Sequence, residues 1–150
     1  MKLRAFVFED NDTLRSMIGS ILESRGYEVL SYSEPNLCPM SLDRECPCPH
    51  EHACADIIIT DVNMPNMTGL EFLKNRKQNG CKIENRAVMS GRWTDKELDE
   101  AQRLGCQIFE KPFRFKDLSE WLDQCEERID PKRRLSDLPK RDSETGTLEA

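Results

Sequence analysis

The sequence predicts a single α/β domain built on a doubly wound, five-stranded parallel sheet. Two observations lead to this prediction. Strand and helix signals alternate along most of the 150 residues, which is typical of a doubly wound sheet. The strand signals are short apolar runs bounded by turn residues, such as residues 57–60, and such runs are typical of buried parallel strands.

Five strands are predicted in this pattern. The third is the clearest, because three isoleucines and Thr60 lead directly into Asp61 and a polar turn. The predicted strands span residues 3–8, 29–32, 57–60, 87–89 and 107–109.

Four helices are predicted from apolar residues at helical spacing. Glycine ends the first and third helices, at Gly26 and Gly105, and Thr94 can cap the third reciprocally with Glu97. The second helix is predicted from about residue 69 to residue 79. The buried faces of the first, third and fourth helices comprise, respectively, Leu14, Met17, Ile18, Ile21 and Leu22; Leu98, Ala101 and Leu104; and Leu118, Trp121, Leu122, Cys125 and Ile129.

Charge and hydropathy exclude two classes of protein. The net charge of −6 argues against a nucleic-acid partner, since such proteins carry a basic stripe. No apolar run reaches the length of a membrane span, and the apolar stretch within residues 1–8 is too short for a signal peptide. A soluble, cytoplasmic protein is therefore expected.

Residues 130–150 are polar, include a basic triplet at 132–134 and are predicted to form a disordered tail with no output domain after it.

Polar residues follow four of the five predicted strands. Glu9 and Asp10 follow the first strand, and Asp61 follows the third. Ser90 follows the fourth strand, and Lys111 follows the fifth. Because open α/β sheets place their chemistry at the carboxyl ends of the strands, these side chains are expected to converge at one sheet edge.

The order and spacing of these residues resemble the receiver domain of bacterial two-component response regulators. The resemblance covers about the first four-fifths of the chain. It is carried by four motifs: Phe8-Glu9-Asp10, Ile59-Thr60-Asp61-Val62-Asn63-Met64-Pro65, Val88-Met89-Ser90-Gly91 and Phe109-Glu110-Lys111-Pro112-Phe113.

The resemblance implies a flavodoxin-like receiver fold over residues 1–129. It further implies a stand-alone, chemotaxis-type regulator rather than an enzyme. Asp61 would accept a phosphoryl group from a histidine kinase or phosphotransfer protein, and the phosphorylated form would signal by binding a downstream protein.

The resemblance also assigns roles to individual residues. Asp10 and Asp61 would bind Mg²⁺ directly, the backbone carbonyl of Asn63 would add a ligand, and Glu9 would act directly or through water. Lys111, before a proline that is typically cis in the family, would pair with a phosphoryl oxygen.

The conformational switch is expected at Ser90, Ile108 and Phe109. The Ser90 hydroxyl would donate to a phosphoryl oxygen. The family usually places an aromatic residue three positions before the site lysine, whereas this chain has Ile108 there and Phe109 next to it.

A Cys/His/Pro-rich segment at residues 34–55 stands where the family has a second helix. Proline opposes helix interiors, so the helix is predicted to be replaced or shortened. Alternate residues of an extended chain share a face about 6.6 Å apart, and thiols with imidazoles suit Zn²⁺. The candidate ligands are Cys38, Cys46, Cys48, His50, His52 and Cys54.

Two interpretations of this segment stay open. Zinc motifs usually separate paired cysteines by two to four residues, not one, so a redox or purely structural loop is the alternative to a metal site. The rival function is accordingly a receiver-like scaffold that signals through the metal or redox state of this segment.

Overall fold

The computed structural model describes residues 2–34 and 52–135 of the chain. Strands and helices alternate along it, as the sequence predicts. The elements in chain order are β1 (Leu3–Phe8), α1 (Asp12–Ser24), β2 (Tyr27–Tyr32), β3 (His52–Ala53), β4 (Ile57–Asp61), α2 (Gly69–Gln78), β5 (Asn85–Ser90), α3 (Asp95–Arg103), β6 (Gln107–Glu110), α4 (Phe115–Arg128) and β7 (Arg134–Leu135).

Five parallel strands form the central sheet in the order β2-β1-β4-β5-β6. The strand order reverses at β1, which pairs with β2 on one side and with β4 on the other. This order is the doubly wound, flavodoxin-like topology that the sequence predicts. In such sheets the crevice at the switch point, here between the carboxyl ends of β1 and β4, is the usual place for a binding site.

Helices cover both faces of the sheet and bury two apolar layers. On one face, side chains of α1 and α4 such as Ile18, Leu22 and Leu122 pack against the strands. On the other face, Leu70 and Phe72 of α2 pack in a cluster that includes α3 residues. Because both faces are covered, the β1 and β4 strands are buried along their whole length.

The helix ends follow the predicted capping chemistry. Thr94 and Glu97 form the reciprocal capping box at α3, and Thr68 and Glu71 form another at α2. Gly26 and Gly105 follow α1 and α3 with positive φ angles of 90° and 72°. Most predicted boundaries lie within two residues of the observed ones.

Strand β5 begins at Asn85, two residues earlier than the apolar run predicts. Asn85 is polar but buried, since its side-chain amide donates to the Asp56 carbonyl and its oxygen accepts from Arg128. These hydrogen bonds offset the cost of burying the amide.

A second, two-stranded sheet joins β3 to β7 at the amino edge of the central sheet. Next to it, the guanidinium of Arg133 binds the buried carboxylate of Asp56 through two contacts, of 2.6 and 2.7 Å. The backbone N–H of Arg4 donates to the same carboxylate at 3.0 Å. Strand β7 and Arg133 thus lie within residues 130–150, the range that the sequence analysis predicts as a polar, disordered tail. Residues 136–150 lie outside the described residues.

The predicted Cys/His/Pro-rich segment lies mostly at residues 35–51, outside the described residues. In the two described ranges, the helices are the four that the sequence predicts. None of these helices is both long enough and apolar enough to cross a membrane.

Candidate functional site

Three carboxylates meet at the switch point of the sheet. Glu9 and Asp10 follow β1, Asp61 ends β4, and one ligand oxygen from each residue lies within 4.8 Å of the other two. Glu9 and Asp61 are buried, whereas Asp10 is exposed. The convergence that the sequence predicts for these three residues is therefore confirmed.

Lys111 joins this cluster from the end of β6. Its ammonium nitrogen lies 2.9 Å from Oε2 of Glu9 and 3.1 Å from Oδ2 of Asp61. The Lys111–Pro112 peptide bond is cis, as the resemblance implies. The cluster holds three carboxylates, two of which contact the Lys111 ammonium, so the oxygen-rich site is suited to a further hard cation.

Burial and pairing act in opposite directions at each of the two partners, and the pKa of both groups is raised. Burial raises the pKa of Glu9 above its ordinary value, although the hydrogen bond from Lys111 works to lower it. Burial acts to lower the pKa of Lys111, but its hydrogen bonds to Glu9 and Asp61 outweigh that effect and raise it. Lys111 is consequently a fixed positive charge at neutral pH.

Backbone hydrogen bonds hold the chain on the carboxyl side of Asp61. The N–H of Val62 donates to the carbonyl of Met89 at 2.8 Å, and the N–H of Gly69 donates back to the carbonyl of Val62 at 2.9 Å. Asn63, the predicted backbone ligand, lies in the loop so formed, with its N–H 3.4 Å from Oδ1 of Asp61.

Gly69 is a site residue that the sequence reasoning used only as the start of a helix. A Cβ atom at this position would lie 2.1 Å from the carbonyl oxygen of Asp61 and 2.8 Å from Oγ1 of Thr60. Only glycine permits this approach of the backbone, so Gly69 sets how closely α2 approaches the end of β4.

Ser90 ends β5 and is fully buried. Its hydroxyl donates to the carbonyl of Arg92 at 3.0 Å and accepts from the N–H of Arg92 at 3.2 Å. The N–H of Lys111 donates to the Ser90 carbonyl at 2.8 Å, which ties the predicted phosphate-binding lysine to the same strand end.

The two predicted switch residues on β6 occupy opposite faces of the sheet. The ring of Phe109 contacts Phe113 and Trp121, with centroid distances of 5.3 and 6.0 Å, on the α4 side. Ile108 packs on the α2–α3 side. On that side the indole N–H of Trp93 donates to the Phe109 carbonyl at 3.0 Å, a contact that no local sequence signal indicates.

The predicted zinc ligands gain no support from the described residues. Within ranges 2–34 and 52–135, Glu9, Asp10 and Asp61 form the one group of metal-ligating side chains identified. Cys54 is buried in the apolar cluster beneath α2, and its carbonyl accepts from Arg4 at 3.0 Å. Only the backbone of His52 is described, and Cys38, Cys46, Cys48 and His50 lie outside the described residues.

Comparison with known proteins identifies the class that this fold and site define. Residues 5–123 match the model of the response regulator receiver domain. The chain belongs to this family of regulatory modules of two-component signalling, for which phosphorylation and Mg²⁺ binding are typical.

Individual relatives agree with this assignment. The transcriptional regulatory protein FixJ of Azorhizobium caulinodans is 33% identical over 115 residues, a match that covers 74% of this chain and 49% of FixJ. The chain thus spans about half the length of that relative. Chemotaxis protein CheY-3 of Vibrio cholerae is 24% identical over 129 residues, covering 85% of this chain and 94% of CheY-3. The crystal structure of CheY4 from Vibrio cholerae, with 26% identity, superposes with a TM-score of 0.65 over 83% of this chain and 99% of CheY4.

Proposed function

We propose that Asp61 accepts a phosphoryl group from a phosphohistidine of a histidine kinase or phosphotransfer protein, and that the modified chain signals by binding a partner protein. The observation that carries this proposal is the position of the Asp61 carboxylate. It lies 3.1 Å from the Lys111 ammonium and beside the Glu9 and Asp10 carboxylates, at the switch point of the sheet.

For this transfer the protein mainly has to position the acceptor carboxylate and neutralise the negative charge of the phosphoryl group. A carboxylate oxygen of Asp61 forms a bond to phosphorus while the bond from phosphorus to the histidine nitrogen breaks, and that nitrogen keeps the electron pair. The acceptor and the phosphoryl group are both negative, so repulsion opposes their approach. Lys111 reduces that repulsion because its charge lies next to the acceptor.

The acidic cluster fits a magnesium ion, since its donors are carboxylate oxygens from neighbouring strands. Asp10, Asp61 and the backbone carbonyl of Asn63 would hold the ion, and Glu9 would contact it directly or through water. When bound, the ion supplies positive charge that balances the phosphoryl oxygens. Lys111 and the Ser90 hydroxyl would bind other phosphoryl oxygens.

Labelling with a small phosphoryl donor tests the acceptor. Acetyl phosphate with Mg²⁺ is expected to add one phosphoryl group, measured by intact mass after acid quenching. Asp61→Asn should remove the label, and chelation of Mg²⁺ should suppress it. Asp99→Asn is the matched control, because Asp99 is an exposed α3 residue paired with Arg103. Undiminished labelling of Asp61→Asn would refute the assignment.

Output is proposed through the surface formed by α3, β6 and the start of α4. Ser90 and Lys111 join the site to this surface, because Ser90 pairs in register with Glu110 and its carbonyl binds the Lys111 N–H. Amide hydrogen exchange with and without beryllofluoride, a phosphoryl mimic, should change within residues 94–104, 108–109 and 115–118. Changes confined to α1 would contradict this route.

A further inference from the structure

The turn after β5 is closed by a single side chain. The Ser90 hydroxyl both donates to the carbonyl of Arg92 and accepts from its N–H, at 3.0 and 3.2 Å. Gly91 lies inside this turn and has open space around it, so no packing holds the turn from that side. The conformation of residues 90–92 therefore depends on where the Ser90 hydroxyl donates its hydrogen bond.

The next residue, Trp93, connects this turn to the edge strand of the sheet. Its indole N–H donates to the carbonyl of Phe109 at 3.0 Å, and its half-buried ring packs against the apolar cluster beneath α2 and α3. The contact spans 16 residues of sequence and joins the loop before α3 directly to β6. Movement of the turn at Arg92 is thus transmitted to Trp93 by the intervening peptide and to β6 by this bond.

Neither of the two predicted switch residues of β6 makes a comparable polar link on this face. Ile108 is aliphatic and lacks a hydrogen-bonding group. The Phe109 ring lies on the opposite face, against Phe113 and Trp121. The indole of Trp93 has both an apolar ring and an N–H, which suits it to pack and to bond at the same time.

We propose that Trp93 is the relay residue that carries the state of Ser90 to β6. This inference rests on the proposed phosphorylation of Asp61. A hydroxyl has one proton, so Ser90 cannot donate fully to a phosphoryl oxygen and to the Arg92 carbonyl together. When the hydroxyl donates to the phosphoryl group, the turn loses one of the two hydrogen bonds that close it. Residue 92 then moves, and the bond from Trp93 to the Phe109 carbonyl is weakened.

The indole N–H of Trp93 provides a direct readout. The chain has two tryptophans, so a ¹⁵N-labelled sample gives two indole signals, assigned with the Trp93→Phe variant. Beryllofluoride with Mg²⁺ should accelerate solvent exchange of the Trp93 indole proton by roughly three- to tenfold, which is the range expected for the loss of one ordinary hydrogen bond. The amide signal of Glu110, which shares a peptide with the Phe109 carbonyl, should shift at the same time.

Two variants separate the relay from simple loosening of the structure. In Ser90→Ala the turn has no hydroxyl in either state, so at saturating beryllofluoride, monitored by ¹⁹F signal, the Trp93 response should fall below twofold. Ser90→Thr keeps a hydroxyl and should keep the response. Trp93→Phe should be labelled at Asp61 at a rate within twofold of the wild-type rate. Without beryllofluoride, its Glu110 amide signal should already lie near the position that the wild-type signal takes with beryllofluoride.

The possible outcomes distinguish this inference from the function on which it rests. If acetyl phosphate labels Asp61 but the Trp93 indole exchanges equally in both states, the relay is wrong and the phosphorylation stands. An unchanged response in Ser90→Ala would also overturn the relay. If Asp61 takes no label, the proposed function fails and the relay fails with it.

Discussion

The ammonium nitrogen of Lys111 lies 2.9 Å from Oε2 of Glu9 and 3.1 Å from Oδ2 of Asp61, so one cation from β6 bridges carboxylates from β1 and β4. Both carboxylates are buried, so water cannot easily replace the hydrogen bonds that they would lose with the lysine. The lysine also repels any other cation that approaches the same oxygens. It therefore links the stability of the domain to its affinity for metal.

Replacing Lys111 with methionine should have opposite effects on these two properties. Without Mg²⁺, the variant should lose about 1–3 kcal/mol of unfolding free energy, because two buried carboxylates lose their partner. Its affinity for Mg²⁺, measured by calorimetry, should rise by about tenfold, since a competing positive charge is gone. Lys116→Met, at a largely exposed α4 position, is the control. Equal Mg²⁺ affinity in the two variants would show that Lys111 does not compete with the metal.

Adding a single methyl group at Gly69 should destabilise the domain. The new Cβ would lie 2.1 Å from the Asp61 carbonyl oxygen, which is a backbone atom that cannot rotate away. Gly69→Ala should cost about 3 kcal/mol in urea unfolding and slow labelling of Asp61. Gly19→Ala, within α1, is the matched control, because the new Cβ would lie 3.9 Å from the Val29 side chain, an ordinary contact distance. This substitution should stabilise the domain by about 0.5–1 kcal/mol, since alanine favours a helix more than glycine does. Similar stabilities for the two variants would contradict the close approach.

The pair of Arg133 and Asp56 should be a strong anchor for the chain after α4. Arg133→Leu leaves a buried carboxylate without its bidentate partner and should cost about 2–4 kcal/mol in urea unfolding. Lys132→Leu, at an exposed neighbouring position, should cost less than about 0.5 kcal/mol. Adding Asp56→Asn to Arg133→Leu should recover part of the loss, because the unpaired charge is removed. If the double variant is as unstable as Arg133→Leu alone, the loss comes from packing and not from the unpaired charge.

Two thiols, that of half-buried Cys106 and that of buried Cys125, should make the domain less stable in alkali. Burial raises the pKa of Cys106 and of Cys125 from 9.0 to about 11. As pH rises past 9, the thiols of the unfolded chain ionise first, so unfolding is favoured, and the loss of stability continues until the folded thiols ionise near pH 11. A Cys106→Ala, Cys125→Ala variant should be less stable at pH 7 but lose about 1–3 kcal/mol less between pH 9 and pH 11. Parallel pH profiles for the two proteins would rule out this contribution.

Local signals in the sequence were sufficient for the sheet and for the charged site. The apolar runs before Asp61 and Ser90 and the capping box at Thr94 each depend on neighbouring residues, so the sequence displays them directly. The convergence of Glu9, Asp10, Asp61 and Lys111 follows once the strands are known to be parallel, because their carboxyl ends share an edge.

Contacts between distant residues could not be predicted in the same way. Asp56 and Arg133 are 77 residues apart, and the two-residue strands β3 and β7 are too short to show periodicity. The bond from Trp93 joins an indole to a backbone carbonyl, and because every residue has a backbone carbonyl, the sequence does not indicate which one accepts. The role of Gly69 is equally hidden, because it depends on the space between α2 and β4 and not on the neighbouring sequence.

The hydrogen bond from Gly69 to Val62 has an implication for how this chain tolerates sequence change. It closes residues 62–69 into a ring whose base is fixed to β5 through Met89. Substitution of an exposed residue of that ring, such as Pro65, is expected to stay confined to it and not to displace Asp61, whereas Asn66 is restricted by its positive φ of 71°. The surface beside Asp61, which a phosphoryl donor would meet, can therefore change while the Asp61 carboxylate stays in place.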